Sequence, residues 1–333
     1  MSAPTVTVVV PTYNGAAFIE ASLASVIAQT WPDFELIVVD DGSTDSTRDI
    51  VGRCDDPRLR VIARPHSGAG AALNTGLSQA RGSLVAILDH DDLWAPLKLE
   101  RHVAFMQARP HVDLTFSWSR LISAAGRRLS LHSRHHSRRI DFGGLLADFV
   151  IGPTSSVVLR RSVLAETGLS DPELTRYYDM DLFLRIALVR PDNVAALPEE
   201  LTFYRRHRGQ LSRDWRGMKG DWARLLERAR ALAPDQMLAV EEHADANMHR
   251  YFAYLAYEQS EYRAALGLLR TAFGRPGGQR FIDARTLTLG AACLAGVLLP
   301  GGVYRRLERL TGLRDDDERS IATASRTRSS PSP

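Results

Sequence analysis

Residues 5–11 read TVTVVVP, and residues 34–40 read FELIVVD. Both runs are rich in β-branched residues and lack a regular polar alternation, which is typical of strands buried on both faces of a sheet. The segment between them carries apolar residues at helical spacing: Phe18, Ile19, Leu23, Val26 and Ile27. The pattern therefore predicts a buried strand, an amphipathic helix and a second buried strand.

The same alternation continues to about residue 120. Three further runs predict strands: RLRVIAR (58–64), SLVAILD (83–89) and DLTFSWS (113–119). Helices are predicted between them, one ending near Arg81 and one from Pro96 to about Ala108, because proline suits the first turn of a helix. Strands separated by helices indicate βαβ units. We therefore predict an α/β fold with a Rossmann-like, mostly parallel sheet flanked by helices.

The composition is that of an ordinary globular protein, since 44% of the 333 residues are hydrophobic and 24% are charged. The net charge of +3 is too small for a dedicated nucleic-acid binder. Cys54 and Cys293 lie far apart, so neither a disulfide framework nor a zinc site is indicated and a reducing compartment is favoured. No basic segment precedes the first apolar run, so we predict no secretory signal and a cytoplasmic protein.

The most apolar later segment runs from Leu287 to Val303 and includes Pro300. It is short for a transmembrane helix, which needs about 20 residues. We interpret it as a buried or interfacial helix. Peripheral contact with the inner face of a membrane stays open at this point.

Acidic residues follow two of the predicted strands. Asp40 and Asp41 end the second strand, and Asp89, Asp91 and Asp92 end the fourth. Ligands of parallel α/β sheets bind outside the carboxyl ends of the strands. Two carboxylate clusters on one edge repel each other unless a cation or hydrogen-bond donors compensate them.

Six segments, in this order and spacing, resemble family 2 glycosyltransferases with the GT-A fold. They are VVVPTYNG (8–15), VVDDGSTDST (38–47), HSGAGAALNTGL (66–77), AILDHDDLW (86–94), YYDMDLFLR (177–185) and YRRHRGQLS (204–212). The resemblance covers roughly residues 4–215. It implies an inverting enzyme that moves a hexosyl-type sugar from a nucleotide-diphospho-sugar to an acceptor hydroxyl, in cell-surface polysaccharide or glycolipid assembly.

The resemblance also implies a nucleotide site at the strand ends. The residues concerned are Pro11, Tyr13, Asn14, Asp40, Asp41, Asn74 and Asp89. An aspartate there accepts hydrogen bonds from ribose hydroxyls or a base N–H. The alternative is that Asp41 and Ser43 only form a turn and cap the next helix.

Asp89-His90-Asp91 matches the Asp-x-Asp motif of the family, which implies a Mg²⁺ or Mn²⁺ site. Hard carboxylate oxygens suit either ion, and substrate phosphates supply further ligands. By resemblance Asp91 is the chief ligand, Asp89 contacts ribose or metal, and His207 approaches the metal and the diphosphate. The alternatives are a helix cap for Asp92 and a solvated loop for His207.

By resemblance, Asp179 is the general base that deprotonates the acceptor hydroxyl. Tyr178 stands where the family usually has an acidic residue, and Leu73 stands where relatives often have an arginine. The missing positive charge leaves Arg64 or Arg205 to meet the diphosphate or the acceptor. The alternative for Asp179 is a helix-capping role like the one expected of Asp181.

We divide the chain into a GT-A domain at 1–213, a helical C-terminal region at 214–314 and a disordered tail at 315–333. The basic segment 127–139 and the arginines after residue 204 favour an anionic partner, either a saccharide or lipid-linked acceptor or a membrane surface. The sequence leaves two other functions open. One is a catalytically impaired nucleotide-sugar-binding protein, and the other is a receiver-like signalling domain built on Asp40 and Asp41, which leaves the remaining motifs unexplained.

Overall fold

The computed structural model describes residues 3–133, 140–171, 173–276, 278, 282–304 and 306. Its contacts divide the chain into two units. The first comprises residues up to 122, 128–205 and 220–239, and the second comprises 123–127, 206–219 and the residues from 240 onward. The predicted boundaries at 213 and 314 stay predictions. Residues 134–139 of the basic segment and the predicted tail at 315–333 lie outside the described residues.

The helices and strands follow the predicted alternation through the first part of the chain. In chain order they are β1 (Val6–Thr12), α1 (Ile19–Ile27), β2 (Phe34–Asp40), α2 (Thr47–Gly52), β3 (Leu59–Ala63), α3 (Ala69–Gln79), β4 (Leu84–Ile87), β5 (Leu93–Trp94), α4 (Lys98–Gln107), β6 (Leu114–Ser123), β7 (Arg128–Ser133), α5 (Phe142–Asp148), β8 (Val157–Arg160), α6 (Leu164–Thr167), α7 (Tyr178–Val189), β9 (Val194–Arg206), α8 (Trp215–Leu232), α9 (Pro234–Glu258), α10 (Tyr262–Gly274) and α11 (Ala284–Leu298).

Half of the sheet is parallel, as the β-branched runs predict. The strands β3, β2, β1 and β4 are neighbours in that order, and all three pairings are parallel. Thr12 lies opposite Asp40, so the carboxyl ends of β1 and β2 meet at one edge. Every residue of β1 and β2 is buried, which explains the absence of polar alternation in their sequences.

The other half of the sheet is antiparallel, and here the prediction of a mostly parallel sheet is too simple. β8 pairs antiparallel with β4 on one side and with β6 on the other. β6 therefore runs in the same direction as β4, as a βαβ unit requires, but β8 lies between them. The insertion depends on pairing between distant segments, which no local pattern encodes.

Helices cover the sheet closely where small residues allow it. Gly76 of α3 faces Val9 of β1, and a Cβ at Gly76 would lie 2.2 Å from a methyl carbon of Val9. Only glycine permits this approach of the helix to the strand. Leu23 and Val26 of α1 and Leu99 of α4 belong to one buried cluster with β1, β2 and β4.

The part of α8 that belongs to the first unit is fixed to the start of α7. The Trp222 ring packs against Phe149 and Tyr177, with ring centroids 5.4 and 5.8 Å away. Asp181, which is 1% exposed, lies 2.8 Å from the guanidinium of Arg185 and 3.0 Å from that of Arg228. Asp181 therefore has the structural position expected of it.

The second unit is mainly helical. α9 ends at Glu258, and α10 follows it from Tyr262 to Gly274. Glu258 of α9 pairs with Arg206 at 2.6 Å, and Glu261 pairs with Arg216 at 2.7 Å. In the part of the chain that the structure describes, every helix is too short or too polar to cross a bilayer.

Candidate active site

The predicted site residues of β1, β2 and β4 lie along one edge of the parallel half-sheet. Tyr13 and Asn14 follow β1, Asp41 follows Asp40 at the end of β2, and Asp89 follows β4. The two acidic clusters thus occupy the carboxyl ends of β2 and β4, the two strands on either side of β1. Pro11 lies inside β1, opposite Val39.

Asn14 fixes the loop that follows β2. Its backbone has a φ of 50°, its N–H donates to the Ser43 hydroxyl at 2.9 Å, and its side-chain oxygen accepts from the Thr44 N–H at 2.8 Å. Ser43 therefore does not cap α2. Asp45, two residues before α2, accepts from the Thr47 N–H at 3.0 Å, while the N-cap residue Ser46 makes no capping bond with its side chain.

Asp40 is a buried, fully compensated carboxylate. It accepts from the Ser43 N–H at 3.1 Å and pairs with the Arg48 guanidinium. Burial alone would raise the pKa of Asp40, but the hydrogen bonds from Ser43 and Arg48 and the charge of Arg48 outweigh it and hold the pKa below its usual value. Asp40 is thus ionised in the folded protein.

Asp41 organises the segment that leads into α3. It accepts from the N–H groups of Ser67 and Gly68 at 3.1 and 2.8 Å, and Arg64 and His66 lie 3.3 and 2.9 Å from its oxygens. The His66 ring stacks on Tyr13 with centroids 4.0 Å apart. Tyr13, 41% exposed, thus forms an accessible aromatic surface beside an acidic group.

Asn74 is placed differently from the other predicted nucleotide contacts. Its side-chain amide donates to the Ser170 carbonyl at 2.7 Å and accepts from the Ser170 N–H at 2.9 Å. The pair ties α3 to the segment that precedes α7. A nucleotide contact for Asn74 stays a prediction.

Four carboxylates, those of Asp89, Asp91, Asp92 and Asp179, converge beyond the end of β4. The pKa of Asp89 is raised to about 8, first by burial and then by the charges of Asp91 and Asp179. Asp91 and Asp89 also add to the effect of burial in raising the pKa of Asp92 well above its usual value. The cluster therefore concentrates acidic groups that repel one another when they are ionised.

A buried serine that the sequence analysis missed holds this cluster together. The Ser155 hydroxyl donates to Asp92 at 2.6 Å and accepts from the Asp89 N–H at 3.0 Å. Asp92 also accepts from the Arg205 N–H at 2.8 Å and is 0% exposed. Asp92 is thus an internal brace rather than a helix cap.

The antiparallel pairing of β8 explains how Ser155 reaches the site. Ala86 of β4 lies opposite Val158 of β8, so residues just before β8 lie beyond the end of β4. Thr154 and Ser155 form a 3₁₀ turn at that point. Both hydroxyls contact aspartates of the cluster.

Asp179 lies in the first turn of α7. Its oxygens accept from the Thr154 hydroxyl and from the Met180 N–H, the latter at 2.8 Å. Burial raises the pKa of Asp179, while the two hydrogen bonds lower it and leave a net increase. Tyr177, just before α7, has a φ of 58°, an uncommon conformation for a bulky residue.

Sequence comparisons place the chain among known proteins. The model of glycosyl transferase family 2 matches residues 7–167. The putative teichuronic acid biosynthesis glycosyltransferase TuaG of Bacillus subtilis is 32% identical over 224 residues, which cover 66% of this chain and 86% of TuaG. The chain belongs to glycosyltransferase family 2. The prediction of a transferase enzyme is thereby confirmed.

A second relative of this glycosyltransferase is the UDP-Glc:alpha-D-GlcNAc-diphosphoundecaprenol beta-1,3-glucosyltransferase WfgD of Escherichia coli. It is 31% identical over 196 residues, which cover 58% of this chain and 72% of WfgD. Of another curated relative, an uncharacterized glycosyltransferase of Nostoc, the chain spans 65% of the length at 31% identity.

Solved structures confirm the GT-A fold with C-terminal helices. Residues 1–349 of S. aureus TarS, in complex with UDP-GlcNAc, match with a TM-score of 0.56 at 20% identity, over 89% of this chain and 87% of that chain. The mannosyltransferase PcManGT of Pyrobaculum calidifontis, in complex with GDP-Man and Mn²⁺, matches with a TM-score of 0.54 at 24% identity, over 94% and 85%.

Tyr178, where the glycosyltransferase departs from the family pattern, lies against the carboxylate cluster. Burial raises the pKa of its phenol well above the usual value, and the charges of Asp89, Asp179 and Asp91 add to the effect. A Cβ on Gly70 would lie 3.1 Å from the Cβ of Tyr178, so α3 packs directly on this residue. The ring of Tyr178 thus stands beside the carboxylates where the family pattern has a further acidic side chain.

Arg205 supports the Asp-x-Asp loop from β9. Its Nε donates to the Asp91 carbonyl at 2.6 Å, and its guanidinium lies 5.0 Å from the centre of the Phe18 ring. The side chain is largely buried, with the residue 4% exposed. Contact with a diphosphate or acceptor stays a prediction for Arg205.

His207 belongs to the second unit of the glycosyltransferase. It follows β9, its N–H donates to the Gln210 side chain at 3.3 Å, and its Nδ1 lies 3.2 Å from the Gly209 N–H. Its role as a metal ligand stays a prediction. Among the described residues, no three His, Cys, Asp or Glu side chains are grouped as they would be to hold a metal on their own.

A buried lysine lies behind the cluster. The Lys98 ammonium group lies 2.9 Å from the Ser156 carbonyl, 3.1 Å from the Thr202 hydroxyl and 3.4 Å from Nε2 of His102. The residue is 0% exposed, and burial lowers its pKa well below the usual value. Lys98 thus links α4 to β9 and to the turn that carries Ser155.

We expect Lys98→Met to remove one titration from the pH dependence of stability. Between the lowered pKa of folded Lys98 and its ordinary value in the unfolded chain, the unfolded state binds more protons, so stability rises with pH. Relative to the variant, the wild-type free energy of unfolding should increase with pH, by at most about 1.4 kcal/mol per pH unit, as the pH approaches the ordinary pKa of lysine. Urea unfolding measures the slope. The exposed Lys219→Met is the control, and equal slopes for wild type and Lys98→Met would contradict the prediction.

Proposed function

We propose that this glycosyltransferase moves a sugar from a nucleotide-diphospho-sugar to an acceptor hydroxyl with inversion at the anomeric carbon. The observation that carries the proposal is the convergence of Asp89, Asp91 and Asp179 beyond β4, with the pKa of Asp89 raised to about 8. Neighbouring carboxylates that raise the pKa of Asp89 suit a cation that arrives with its substrate.

The donor set fits a divalent metal. Asp89 and Asp91 offer hard oxygens, and Mg²⁺ or Mn²⁺ typically combines one or two carboxylates with substrate phosphates. When bound, the metal would neutralise charge on the departing diphosphate. The Mn²⁺ complex of PcManGT supports the same assignment.

The nucleoside would occupy the edge formed by β1 and β2. Tyr13 presents an exposed ring for the base, while Asp40 and Asp41 are held rigidly by Ser43, Arg48, Ser67 and Gly68. Preorganised acceptors lose little entropy on binding. A thermal-shift screen with UDP and GDP identifies the preferred base, because the nucleotide that binds more tightly raises the melting temperature more.

Asp179 would act as the general base. Its carboxylate takes the proton of the acceptor hydroxyl as that oxygen attacks the anomeric carbon, and the bond to the diphosphate oxygen breaks with its electron pair leaving on the diphosphate. Thr154 and Met180 hold the carboxylate at the start of a packed helix. Because the attack comes from the face opposite the leaving group, the configuration inverts.

The relatives suggest the acceptor class. WfgD acts, by its name, on a GlcNAc-diphosphoundecaprenol, and TuaG takes part in teichuronic acid biosynthesis. We infer a saccharide or lipid-linked acceptor and a role in cell-surface polysaccharide or glycolipid assembly. Transfer from UDP-glucose, UDP-GlcNAc and GDP-mannose to synthetic GlcNAc-diphosphoundecaprenol tests this inference. Nucleotide binding without turnover of any donor would indicate a catalytically impaired protein instead.

Asp91→Ala is expected to abolish the Mn²⁺-dependent part of the affinity for a nucleoside diphosphate while leaving the fold intact. The side chain lies in the loop after β4, whereas the bracing contacts of that loop come from Asp92 and Ser155. Calorimetry of UDP and GDP, with Mn²⁺ and with EDTA, measures the effect. Asp55→Ala removes an exposed aspartate before β3 and should bind as wild type does. Unchanged metal dependence in Asp91→Ala would exclude Asp91 as a ligand.

A further inference from the structure

The 3₁₀ turn Thr154–Ser156 is fixed through its backbone. The Trp94 indole N–H donates to the Ser155 carbonyl at 2.8 Å, and the Lys98 ammonium group donates to the Ser156 carbonyl at 2.9 Å. The three residues of the turn are buried, and β8 begins directly after them. The position of the turn therefore does not depend on its own hydroxyl groups.

Two hydroxyls of this turn contact two different parts of the candidate site. The Ser155 hydroxyl donates to Asp92 at 2.6 Å and accepts from the Asp89 N–H at 3.0 Å, so it holds the loop after β4. The Thr154 hydroxyl donates to Asp179 at the start of α7. Consecutive residues of one rigid turn thus join two segments that lie far apart in the sequence.

We propose that Thr154 and Ser155 are positioning residues, which hold the general base and the loop after β4 at a fixed separation. An inverting transfer needs the acceptor oxygen, the anomeric carbon and the leaving oxygen in line, and a misplacement of about 1 Å can cost about a hundredfold in rate. Thr154 acts through Asp179, and Ser155 acts through the loop that carries Asp91. Both assignments rest on the proposed function, the first on its base and the second on its metal site.

The two hydroxyls should affect different measurements, which a merely structural role would not produce. Thr154→Val keeps the shape of the side chain but leaves Asp179 with one donor fewer, so kcat should fall about 10- to 100-fold. The KM for the donor and the Mn²⁺-dependent affinity for UDP or GDP should stay as in wild type. Thr154→Ser restores the donor and should restore most of the rate. Thr154→Ala is the second variant, for the case that valine disturbs the turn.

A double variant shows whether Thr154 acts through the base. Added to Asp179→Asn, the change Thr154→Val should lower turnover no further, because the group that it positions has already lost its basicity. The assay is transfer from UDP-glucose, UDP-GlcNAc and GDP-mannose to synthetic GlcNAc-diphosphoundecaprenol. An additional tenfold loss in the double variant would contradict the proposal.

Ser155→Ala should lower the Mn²⁺-dependent affinity for UDP or GDP about tenfold or more, since partners of a ligand loop contribute this much to metal affinity. The affinity in EDTA should not change. Ser155→Cys places a weaker donor at the same position and should show a smaller loss. Calorimetry measures these affinities without any turnover, and thermal unfolding in EDTA verifies that each variant is folded.

The matched control is Ser156→Ala, which removes the third hydroxyl of the same turn. This hydroxyl is buried and, within the described part of the chain, has no hydrogen-bond partner. Ser156→Ala should therefore keep the turnover and the nucleotide affinity of wild type. If it reproduces either loss, the effects come from disturbance of the turn and the proposal is overturned.

Further results separate this proposal from the function on which it rests. Normal turnover in Thr154→Val, with slow turnover in Asp179→Asn, would overturn the positioning role alone. Wild-type metal dependence in Ser155→Ala, with a loss in Asp91→Ala, would do the same. Near-normal turnover in Asp179→Asn, or unchanged metal dependence in Asp91→Ala, would instead overturn the proposed base or metal site, and the positioning role with it.

Discussion

Asp179→Asn is expected to lower turnover by about 10²–10⁴-fold, the usual contribution of a positioned general base. Asparagine keeps the shape of the side chain and its contact with the Met180 N–H but cannot accept the proton of the acceptor. Affinity for UDP or GDP should barely change, because the proposed role of Asp179 is on the acceptor side. The measurement is single-turnover transfer with saturating donor and acceptor, alongside calorimetry of the nucleotide.

The pH profile distinguishes a base from a structural residue. In wild type the rate should fall at low pH as Asp179 becomes protonated, and the residual rate of Asp179→Asn should lack this acid limb. Asp235→Asn, which alters an exposed aspartate in the first turn of α9, is the matched control and should keep full turnover. Near-normal turnover in Asp179→Asn would assign the base elsewhere. Asp181 would be a poor replacement, since it is buried and paired with Arg185 and Arg228.

The parallel half of the sheet was predictable because each of its strands has a local sequence signal. β1 and β2 are buried on both faces, so their runs of β-branched residues predict strands without any knowledge of the strands they pair with. β9 shows the limit. It runs from Val194 to Arg206, but its first residues carry no strand signal, because they include Pro198 and two glutamates.

The residues of the candidate site also fall into those that a local motif predicts and those that only the tertiary fold brings together. Asp89 and Asp91 were found because they lie within one short motif at a strand end. Thr154 and Ser155 were missed because they are far from that motif in sequence and reach it only through the pairing of β8 with β4. A serine or threonine in a turn has no sequence signal that marks it as a partner of a distant aspartate. Lys98 was missed because only tertiary packing buries it.

Asp89→Asn is expected to stabilise the metal-free protein at pH 8. The pKa of Asp89 is raised from 3.8 to about 8, so the folded state holds a proton that the unfolded state has lost. The stability contributed by that proton is present below pH 3.8 and is lost as the pH rises towards 8. Asparagine carries no charge, so the variant should avoid this loss and gain about 3–6 kcal/mol in free energy of unfolding at pH 8.

The comparison with Asp40→Asn makes this prediction sharp, because both aspartates lie at strand ends on the same edge and their pKa values shift in opposite directions. The pKa of Asp40 is lowered, so its stabilising effect is present at neutral pH and is lost as the pH falls through its folded pKa. In EDTA, thermal unfolding at pH 8 should therefore show a higher Tm for Asp89→Asn and a lower Tm for Asp40→Asn than for wild type. At pH 4 the gain from Asp89→Asn should almost disappear. A lower Tm for Asp89→Asn at pH 8 would mean that the carboxylate is compensated within the protein, and the argument for a cation at this position would fail with it.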